Sequence, residues 1–327
     1  MLEVLEPAAL TTLQDGGRHG WQAFGVPISG PMDAFALQAA NVVVANPPAA
    51  CAVEIGFSSA VFIAQHACLV ALTGVGFSLQ VGDFDIPLCS SVYVRANYPI
   101  RIKKTGPGNW AYLAVHGGIN TPLALGSRST YLRARLGAEK SAGQVALQRG
   151  DLLPIGPSKH NLLELAGRRI LEGHDDKSPC YSANPTIQII PGPQVSHFTS
   201  FGLQTLLSST YTINSASDRS GYRLDGAPIE RAITTELISE GMARGCIQVP
   251  INGLPIVMQA DCPTIGGYPK IASVISADQP VLAQVPVGSG RIRFELSTIE
   301  QAQTRYRVLL KNLAESIIQP EIDDYSW

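Results

Sequence analysis

The sequence predicts a mainly β fold with a few helices, and three observations lead to this fold class. Short runs of apolar and β-branched residues recur along the chain, with turn residues between them. The 31 glycines and 23 prolines interrupt regular structure often. Only three stretches carry the features of a helix. Many short strands separated by turns favour β-barrels or β-sandwiches.

Eleven short runs are predicted as strands. Each combines β-branched, aromatic or other apolar residues and is bounded by turn or polar residues. They fall into one group before residue 116 and a second group after residue 185. The predicted strands are 68–73, 77–81, 91–95, 100–104, 110–115, 186–190, 211–213, 246–249, 255–259, 280–285 and 291–296.

The first two predicted helices lie near the start and in the second half of the chain. The first begins at Pro31, because proline suits the first helical position, and it carries Asp33 in its first turn. It ends near residue 46, where Asn46 is followed by two prolines. The second helix covers about residues 196–207.

The third predicted helix, 298–317, lies close to the end of the chain. Ser297 and Glu300 have the S-x-x-E spacing of a capping box. An apolar stripe at helical spacing follows and predicts packing against a core. The stripe consists of Ile299, Ala302, Tyr306, Leu309, Leu310, Leu313 and Ile317.

Length and composition together predict two domains. A domain usually holds on the order of 100–200 residues, and the chain has 327. Residues 161–184 mix charge, proline and glycine, which is typical of a linker. The sequence therefore predicts an N-terminal domain of residues 1–160 and a C-terminal domain of residues 185–327.

The charge content restricts the possible partners. Charged residues make up only 15% of the chain, against about 25% in a typical protein, which indicates a surface partly covered in an assembly. An ordinary monomer with a surface rich in uncharged polar residues is the alternative. The net charge is −2 without a basic block, so the electrostatic signature of nucleic-acid or membrane-surface binding is missing. Acidic residues near the start and the lack of a long apolar run predict a cytoplasmic protein.

Several familiar chemical motifs are missing from the sequence. It contains neither a G-x-x-x-x-G-K-[ST] phosphate loop nor a G-x-S-x-G nucleophile elbow. The six cysteines form no C-x-x-C pair and are predicted to be mostly buried free thiols. The histidines lack the spacing of a metal site, so no metal is predicted.

The first candidate site is the glycine-rich segment 14–33. Its glycines allow backbone conformations that approach a ligand closely. A long turn whose polar side chains only cap backbone groups is the alternative. The candidate binding or catalytic residues are Gln14, Asp15, Arg18, Ser29 and Asp33.

The second candidate site follows the predicted strand 110–115. Arg128 stands beside Ser129 and Thr130, and a guanidinium among hydroxyl groups suits a carboxylate or a phosphate. The alternative is an arginine that ties two loops together through their carbonyl oxygens.

Two further candidate sites lie in the second half of the chain. Around Gly221, the charged and aromatic residues could hold an anion or form an internal ion pair. Further on, Lys270 follows a glycine turn, and a partly buried lysine is either catalytic or a phosphate ligand, unless it only reaches the rim. Glutamines within apolar strands need partners if buried, and a substrate amide would suit them. The candidates besides Lys270 are Arg219, Tyr222, Arg223, Gln248, Gln259, Asp261, Thr264 and Tyr268.

Long sequence motifs resemble one family. They are TLQDGGRHGWQAFGVPISGPMDAFALQAAN, AYLAVHGGINTPLALGSRSTYLRARLGA, IIPGPQVSHF, SDRSGYRLDG and EGMARGCIQVPINGLPIVMQADCPTIGGYPKIASVISAD. With this set, the chain resembles the biotin-dependent carboxyltransferase-like family, also called allophanate hydrolase subunit 2, over roughly residues 3–296. The family includes the C subunit of the bacterial ATP-dependent 5-oxoprolinase.

The resemblance implies a fold and an activity. The fold would consist of two β-barrel units, cyclophilin-like in at least one case. The reaction would convert 5-oxo-L-proline, ATP and two waters into L-glutamate, ADP and phosphate. The smaller B subunit of 5-oxoprolinase would bind this chain directly, and the A subunit would join for activity. ATP, as its magnesium complex, would be required, and no biotin would be attached to this chain.

The family leaves two other functions open. One is a carboxyltransferase half that acts on urea or a related amide with a separate carboxybiotin carrier. The other is a non-catalytic regulator that binds a kinase inhibitor similar to the B subunit. For the 5-oxoprolinase function, Asp15, Asp33 and Lys270 are the predicted catalytic residues, and the other candidates are predicted to bind substrate or phosphate.

Overall fold

The computed structural model describes residues 1–137, 146–158, 160–170, 179–235 and 237–319. These residues form many short strands and four α-helices, which confirms the predicted mainly β fold. They belong to two compact units: one comprises 1–18, 33–178 and 310–327, and the other comprises 19–32 and 179–309. The predicted domains instead placed segment 19–32 in the N-terminal half and the chain end in the C-terminal half.

The strands are numbered in chain order. Those of the first half are β1 (Leu2–Glu6), β2 (Leu10–Gln14), β3 (Ala52–Gly56), β4 (Ala60–Ala64), β5 (Cys68–Gly74), β6 (Phe77–Val81), β7 (Phe84–Ile86), β8 (Ser91–Val94), β9 (Pro99–Lys104), β10 (Trp110–Val115), β11 (Leu152–Leu153) and β12 (Arg169–Ile170). Those of the second half are β13 (Thr186–Pro191), β14 (Tyr211–Ile213), β15 (Gly221–Asp225), β16 (Glu240–Gly241), β17 (Cys246–Gln248), β18 (Ile256–Met258), β19 (Ile265–Gly266), β20 (Lys270–Val274), β21 (Arg291–Leu296) and β22 (Ile317–Ile318).

The first unit is built on two antiparallel sheets. One has six strands in the order β11-β1-β4-β9-β6-β7, and the other has five in the order β2-β3-β10-β5-β8. Buried residues alternate with half-buried ones along β4 and β6, as expected for strands that bury one face. A single apolar core draws Phe62 and Ile100 from the first sheet and Leu72 and Leu113 from the second. The two sheets therefore share one core.

The second unit contains a closed barrel of seven strands. Their order is β13-β20-β17-β18-β15-β14-β21, and a parallel pairing of β21 with β13 closes the ring. Tyr222, Val257, Ile247 and Ala272 are register neighbours on four adjacent strands, and all are buried. This row fills the barrel interior, because side chains along a strand alternate between its two faces.

The α-helices are α1 (Ala34–Val43), α2 (Ser200–Ser208), α3 (Gln279–Gln284) and α4 (Ile299–Glu315). The predicted start of the first helix at Pro31 is wrong. Asp33 is the N-cap residue, since its carboxylate accepts a hydrogen bond from Ala36 N at 2.8 Å. Similarly, α2 begins only after Thr199, whose hydroxyl caps it. No helix in the described part of the chain is long and apolar enough to cross a membrane.

One predicted strand, 280–285, is wrong. These residues form α3, with Pro280 in its first turn, where a proline fits without loss of a hydrogen bond. Five of the six helical residues are buried. A short run that is buried on all sides shows no periodicity, so the pattern could not separate a strand from a helix.

The capping box of α4 is formed by other residues than predicted. The hydroxyl of Thr298 accepts from Gln301 N, and the side-chain oxygen of Gln301 accepts from Thr298 N, both at 3.2 Å. The box thus starts one residue after Ser297. The predicted apolar stripe is only partly core: Leu309 and Leu313 are buried, whereas other members, such as Ile299, are exposed.

Candidate functional site

Asp15, just after β2, is the centre of a hydrogen-bond network in the first unit. Its Oδ1 accepts from the hydroxyls of Ser127 and Ser129 at 2.6 Å and from Gly17 N at 3.0 Å. Its Oδ2 accepts from Arg128 N at 2.6 Å. Burial raises the pKa of Asp15, but these four hydrogen bonds outweigh burial and hold the pKa below its ordinary value.

This network gives Asp15 a structural role. A carboxylate that accepts four hydrogen bonds stays ionised and connects the start of the glycine-rich segment to the loop 127–129. Its catalytic role stays a prediction that the geometry does not favour, since a proton acceptor needs a free lone pair close to the substrate.

Two arginines of the same region bind main-chain carbonyls. Arg18 is fully buried, and it donates to the carbonyls of Ala124 and Ser129, both at 2.8 Å. Arg128 donates through Nε to the carbonyl of Thr121 at 2.6 Å. For Arg128, the structure thus has the loop-tying arrangement that the sequence left open as the alternative to anion binding.

Gln14 and Thr130 lie side by side in the buried part of this region. Gln14 Nε2 donates to the carbonyl of Thr130 at 3.2 Å, and Leu13 N donates to the Thr130 hydroxyl at 3.3 Å. The Oε1 atom of Gln14 is buried and accepts no hydrogen bond from a described residue. Such an acceptor usually meets a water or a ligand, so Gln14 keeps its predicted binding role.

Asp33 belongs to a second buried network that the sequence did not reveal. Its backbone N–H donates to the Tyr112 hydroxyl at 2.8 Å, and that hydroxyl donates to Glu54 Oε2 at 2.7 Å. All three residues are fully buried. Burial first, and then the charges of Glu54 and Asp33, raise the pKa of Tyr112 well above its ordinary value. The N-cap position gives Asp33 a structural function, and its proton-transfer role stays a prediction.

In the second unit, two arginines hold the segment 19–32. Arg219 forms a buried two-pronged ion pair with Asp261, at 2.8 and 3.1 Å, and also donates to the carbonyl of Gly30 at 2.7 Å. Arg244 donates to the carbonyl of Pro31 at 2.8 Å and to that of the next residue. Three consecutive carbonyls of the glycine-rich segment are thus fixed by guanidinium groups.

The residue before these carbonyls has an unusual backbone. Ser29 has a φ of 57°, in the left-handed region that costs a non-glycine residue about 1–3 kcal/mol. The side chain is buried, and its hydroxyl makes no hydrogen bond to a described residue. Strain and a buried hydroxyl without a partner together support the prediction that Ser29 binds a ligand.

Lys270, at the start of β20, forms the main charged cluster of the second unit. Its ammonium donates to Glu240 Oε2 at 2.8 Å and to the carbonyl of Gly241 at 3.3 Å. Gln194 joins both partners, because its Nε2 donates to Glu240 Oε2 at 2.8 Å and its Oε1 accepts from Lys270 N at 3.2 Å. The hydrogen bond and the charge of Lys270 lower the pKa of Glu240.

This cluster differs from an ordinary surface ion pair in its exposure. The Lys270 side chain is only 6% exposed, whereas that of Glu240 is 46% exposed. The ammonium is therefore held at a fixed position just below the surface, instead of snorkelling to the rim. Gln194 and Glu240 were missed as site residues, although both lie in motifs that carry the family resemblance, IIPGPQVSHF and EGMARGC.

Strand register relates Lys270 to another predicted anion-binding residue. Arg223 pairs with Ile256, Ile256 pairs with Gln248, and Gln248 pairs with Lys270, so the four residues form one row across four strands. The row lies on the outer face of the barrel, because it neighbours the interior row. Gln248 also donates to the carbonyl of Tyr268 at 3.1 Å, which fixes the turn before Lys270.

Arg223 and Tyr268 line one cavity of about 450 Å³ in the second unit. Its lining is mixed, with charged, amide and apolar groups. The other lining residues are Asn214, Leu224, Asp225, Pro250, Asn252, Leu254, Pro255 and Ile256. Lys270 does not line this cavity. The structure therefore places two of the predicted binding residues together, on a separate site from the lysine.

The remaining predicted residues occupy structural positions. Tyr222 is buried inside the barrel, and its hydroxyl donates to the carbonyl of Ala283 at 2.9 Å. Gln259 is buried after β18. Thr264 accepts a hydrogen bond from Met242 N through its carbonyl, at 2.9 Å. A binding role for these three residues stays a prediction.

Two antiparallel sheets, a closed barrel and these loop clusters define the class of protein. Residues 24–296 match the family described as the carboxyltransferase domain, subdomain A and B. The match covers more than half of the 327 residues, so the chain belongs to this family. The resemblance recognised in the sequence is thereby confirmed.

Among its relatives are two proteins with one name. The chain is 36% identical over 303 residues to the C subunit of 5-oxoprolinase from Escherichia coli (strain K12), covering 92% of this chain and 93% of that protein. It is 32% identical over 302 residues to the C subunit of 5-oxoprolinase from Haemophilus influenzae (strain ATCC 51907 / DSM 11121 / KW20 / Rd), with the same coverage. By their names, both relatives are parts of a larger enzyme.

A solved structure resembles almost the whole chain. The crystal structure of the K. lactis urea amidolyase matches with a TM-score of 0.87 and 25% identity, covering 98% of this chain. The match takes up 20% of the amidolyase chain, so this protein corresponds to one part of that larger enzyme.

Proposed function

We propose that this chain is the C subunit of an ATP-dependent 5-oxoprolinase, which opens 5-oxo-L-proline to L-glutamate together with the A and B subunits. The observation that carries the proposal is the likeness to two proteins that are named as the C subunit of 5-oxoprolinase, over 92% of this chain and 93% of each relative. Nearly full coverage on both sides favours a shared role in a shared assembly.

The chemistry of the reaction defines what the site has to supply. A lactam opens when its carbonyl oxygen is activated and its ring nitrogen receives a proton. Transfer of a phosphoryl group from ATP to that oxygen provides the activation, and positive charge at fixed positions stabilises the negative charge that develops. A buried, oriented ammonium group meets this requirement.

Lys270 is the candidate for this ammonium group. A lysine carries three N–H donors, and Glu240 and Gly241 occupy two of them. The third is available to a substrate oxygen. Glu240 and Gln194 act as positioning residues, since they hold the ammonium and the backbone of Lys270.

ATP, as its magnesium complex, is the proposed co-substrate, and no biotin is attached to this chain. The cavity at Arg223 does not fit a triphosphate, because it offers one guanidinium against the carboxylate of Asp225. The proposal therefore assigns no nucleotide contact to this cavity.

Reconstitution of the complete enzyme tests the proposal. This chain is combined with the A and B subunits from the same organism, and L-glutamate release from 5-oxo-L-proline is measured with and without ATP. ATP-dependent release that requires all three chains is the expected result. A stable complex that releases no glutamate would overturn the proposal.

The likeness to urea amidolyase, with 98% of this chain covered, favours a second candidate function. In this alternative, the chain transfers a carboxyl group from a carboxybiotin carrier to urea or a related amide. Incubation of the complex with a carboxylated biotin carrier and labelled urea separates the two functions. Labelled carboxylated urea without glutamate release would establish the alternative.

A further inference from the structure

Arg223 differs from the other arginines that the sequence predicted to bind anions. Arg18 and Arg128 donate to main-chain carbonyls, and Arg219 is paired with Asp261. In contrast, the guanidinium of Arg223 makes no ion pair or hydrogen bond with any described residue. It is exposed and lines the cavity of about 450 Å³, within the range of small-molecule sites.

A carboxylate faces the same cavity from the same strand. Arg223 and Asp225 are two residues apart on β15, so they point to the same side, with about 7 Å between their Cα atoms. No ion pair joins them. Asp225 Oδ2 accepts from Asn214 Nδ2 at 2.7 Å, and no hydrogen bond from a described residue reaches its Oδ1. The strand thus presents one cation and one anion that do not neutralise each other.

Neutral polar groups and an apolar wall complete the cavity. The hydroxyl of Tyr268, a half-exposed residue, makes no hydrogen bond to a described residue. The side-chain oxygen of Asn252 accepts from Leu254 N at 3.1 Å, which leaves its amide N–H groups for a ligand. Pro250 and Pro255 contribute apolar surface. The site is therefore polar at one side and apolar at the other.

The charges decide the class of ligand. A polyphosphate would meet one guanidinium and a repelling carboxylate, and a plain dicarboxylate would meet the same repulsion at Asp225. A zwitterion places its carboxylate on Arg223 and its ammonium group on Asp225. We propose that the cavity between β15 and the turn at Tyr268 binds a free α-amino acid. This site is separate from the Lys270 cluster, three strand spacings away, and needs no turnover.

Binding of L-glutamate and 5-oxo-L-proline to the purified full-length chain, measured by isothermal titration calorimetry, tests the proposal. The two probes share a carbon skeleton, but the lactam nitrogen of 5-oxo-L-proline carries no charge. L-Glutamate is expected to bind the wild-type protein and to bind at least about tenfold more weakly to Arg223→Ala, which loses a charge-assisted pair. Asp225→Asn is expected to weaken L-glutamate binding in the same way.

Arg291→Ala and Asp83→Asn serve as matched controls, because both residues are exposed and neither lines the cavity. Both controls are expected to bind L-glutamate like the wild type, and equal thermal unfolding midpoints show that all variants are folded. The proposal is overturned if L-glutamate fails to bind at millimolar concentration, if either cavity variant binds it normally, or if 5-oxo-L-proline binds equally well. None of these results depends on the proposed oxoprolinase activity.

Discussion

At the scale of single residues, similar side chains have been given different tasks by their hydrogen-bond partners. Asp15 is saturated with donors, Asp33 caps a helix, and Asp225 keeps one oxygen open to a cavity. Arginines divide in the same way between carbonyl binding and Arg223. A residue type in a motif therefore indicates a chemical capability, and the neighbours decide whether it is available to a ligand.

Lys270→Ala in the complete complex is expected to lower kcat for glutamate release by about 10²–10³-fold, the typical cost of one lost transition-state donor. Lys311→Ala is the matched control, since its side chain is 71% exposed and pairs only with Glu315. It is expected to keep wild-type turnover. Steady-state kinetics at saturating ATP provides the measurement, and normal turnover of Lys270→Ala would remove the lysine from the mechanism.

Asp15 is expected to make the stability of the protein depend on acid. Its pKa is lower in the folded chain than in the unfolded chain, so its stabilising contribution is complete above the ordinary value of about 3.9 and is lost as the pH falls through the lower folded value. Asp15→Asn should be less stable at neutral pH and should lose less stability below about pH 4.

Urea unfolding of the wild type and Asp15→Asn between about pH 3 and pH 7 measures this difference in free energy of unfolding. Asp83→Asn, at an exposed position, is the control and should follow the wild-type curve. Parallel curves for the wild type and Asp15→Asn would show that the four hydrogen bonds contribute no pH dependence.

At the scale of elements, the sequence predicted most elements well where burial is one-sided. The strands β6, β10, β14 and β21 have the predicted bounds, because alternation or β-branched runs bounded by turns define them. The failure at α3 has the opposite cause, since burial on all sides removes periodicity. The cap of α4 was displaced by one residue because serine, threonine, glutamate and glutamine all suit a capping box.

Thr298→Ala is expected to destabilise the protein by about 1 kcal/mol, the usual cost of losing an N-cap side chain. Ser297→Ala should cost less, since its hydroxyl only makes a 3.3 Å contact with Gln301 Oε1. Chemical denaturation of both variants against the wild type gives the two free energies of unfolding. A larger loss for Ser297→Ala would restore the capping box predicted from the sequence.

At the scale of the whole molecule, fold class and family were recognisable from the sequence, whereas the site was only partly so. The long motifs contain Lys270, Gln194 and Glu240, but nothing in the sequence shows that these three side chains share hydrogen bonds. That information depends on strand register, which brings together residues more than 70 positions apart, such as Gln194 and Lys270.

The charge-poor composition leads to a prediction about assembly. Only 15% of the residues are charged, and several large apolar side chains, among them Ile238, Ile251 and Phe24, are more than 70% exposed. We expect this chain to form a stable heteromer with the B subunit of 5-oxoprolinase and to co-elute with it in size-exclusion chromatography with light scattering. An unrelated protein of similar mass is the control, and separate elution of the two chains would contradict the expectation.

The division of the chain between the two units has a consequence for its inheritance. One unit takes residues 19–32 from the beginning of the chain, fixed by Arg219 and Arg244, and the other includes β22 near residue 318, paired with β12. A gene broken at any single point between them would leave both units incomplete. Recombination therefore cannot exchange one unit for a foreign counterpart, and the two must be passed on and diverge as one block.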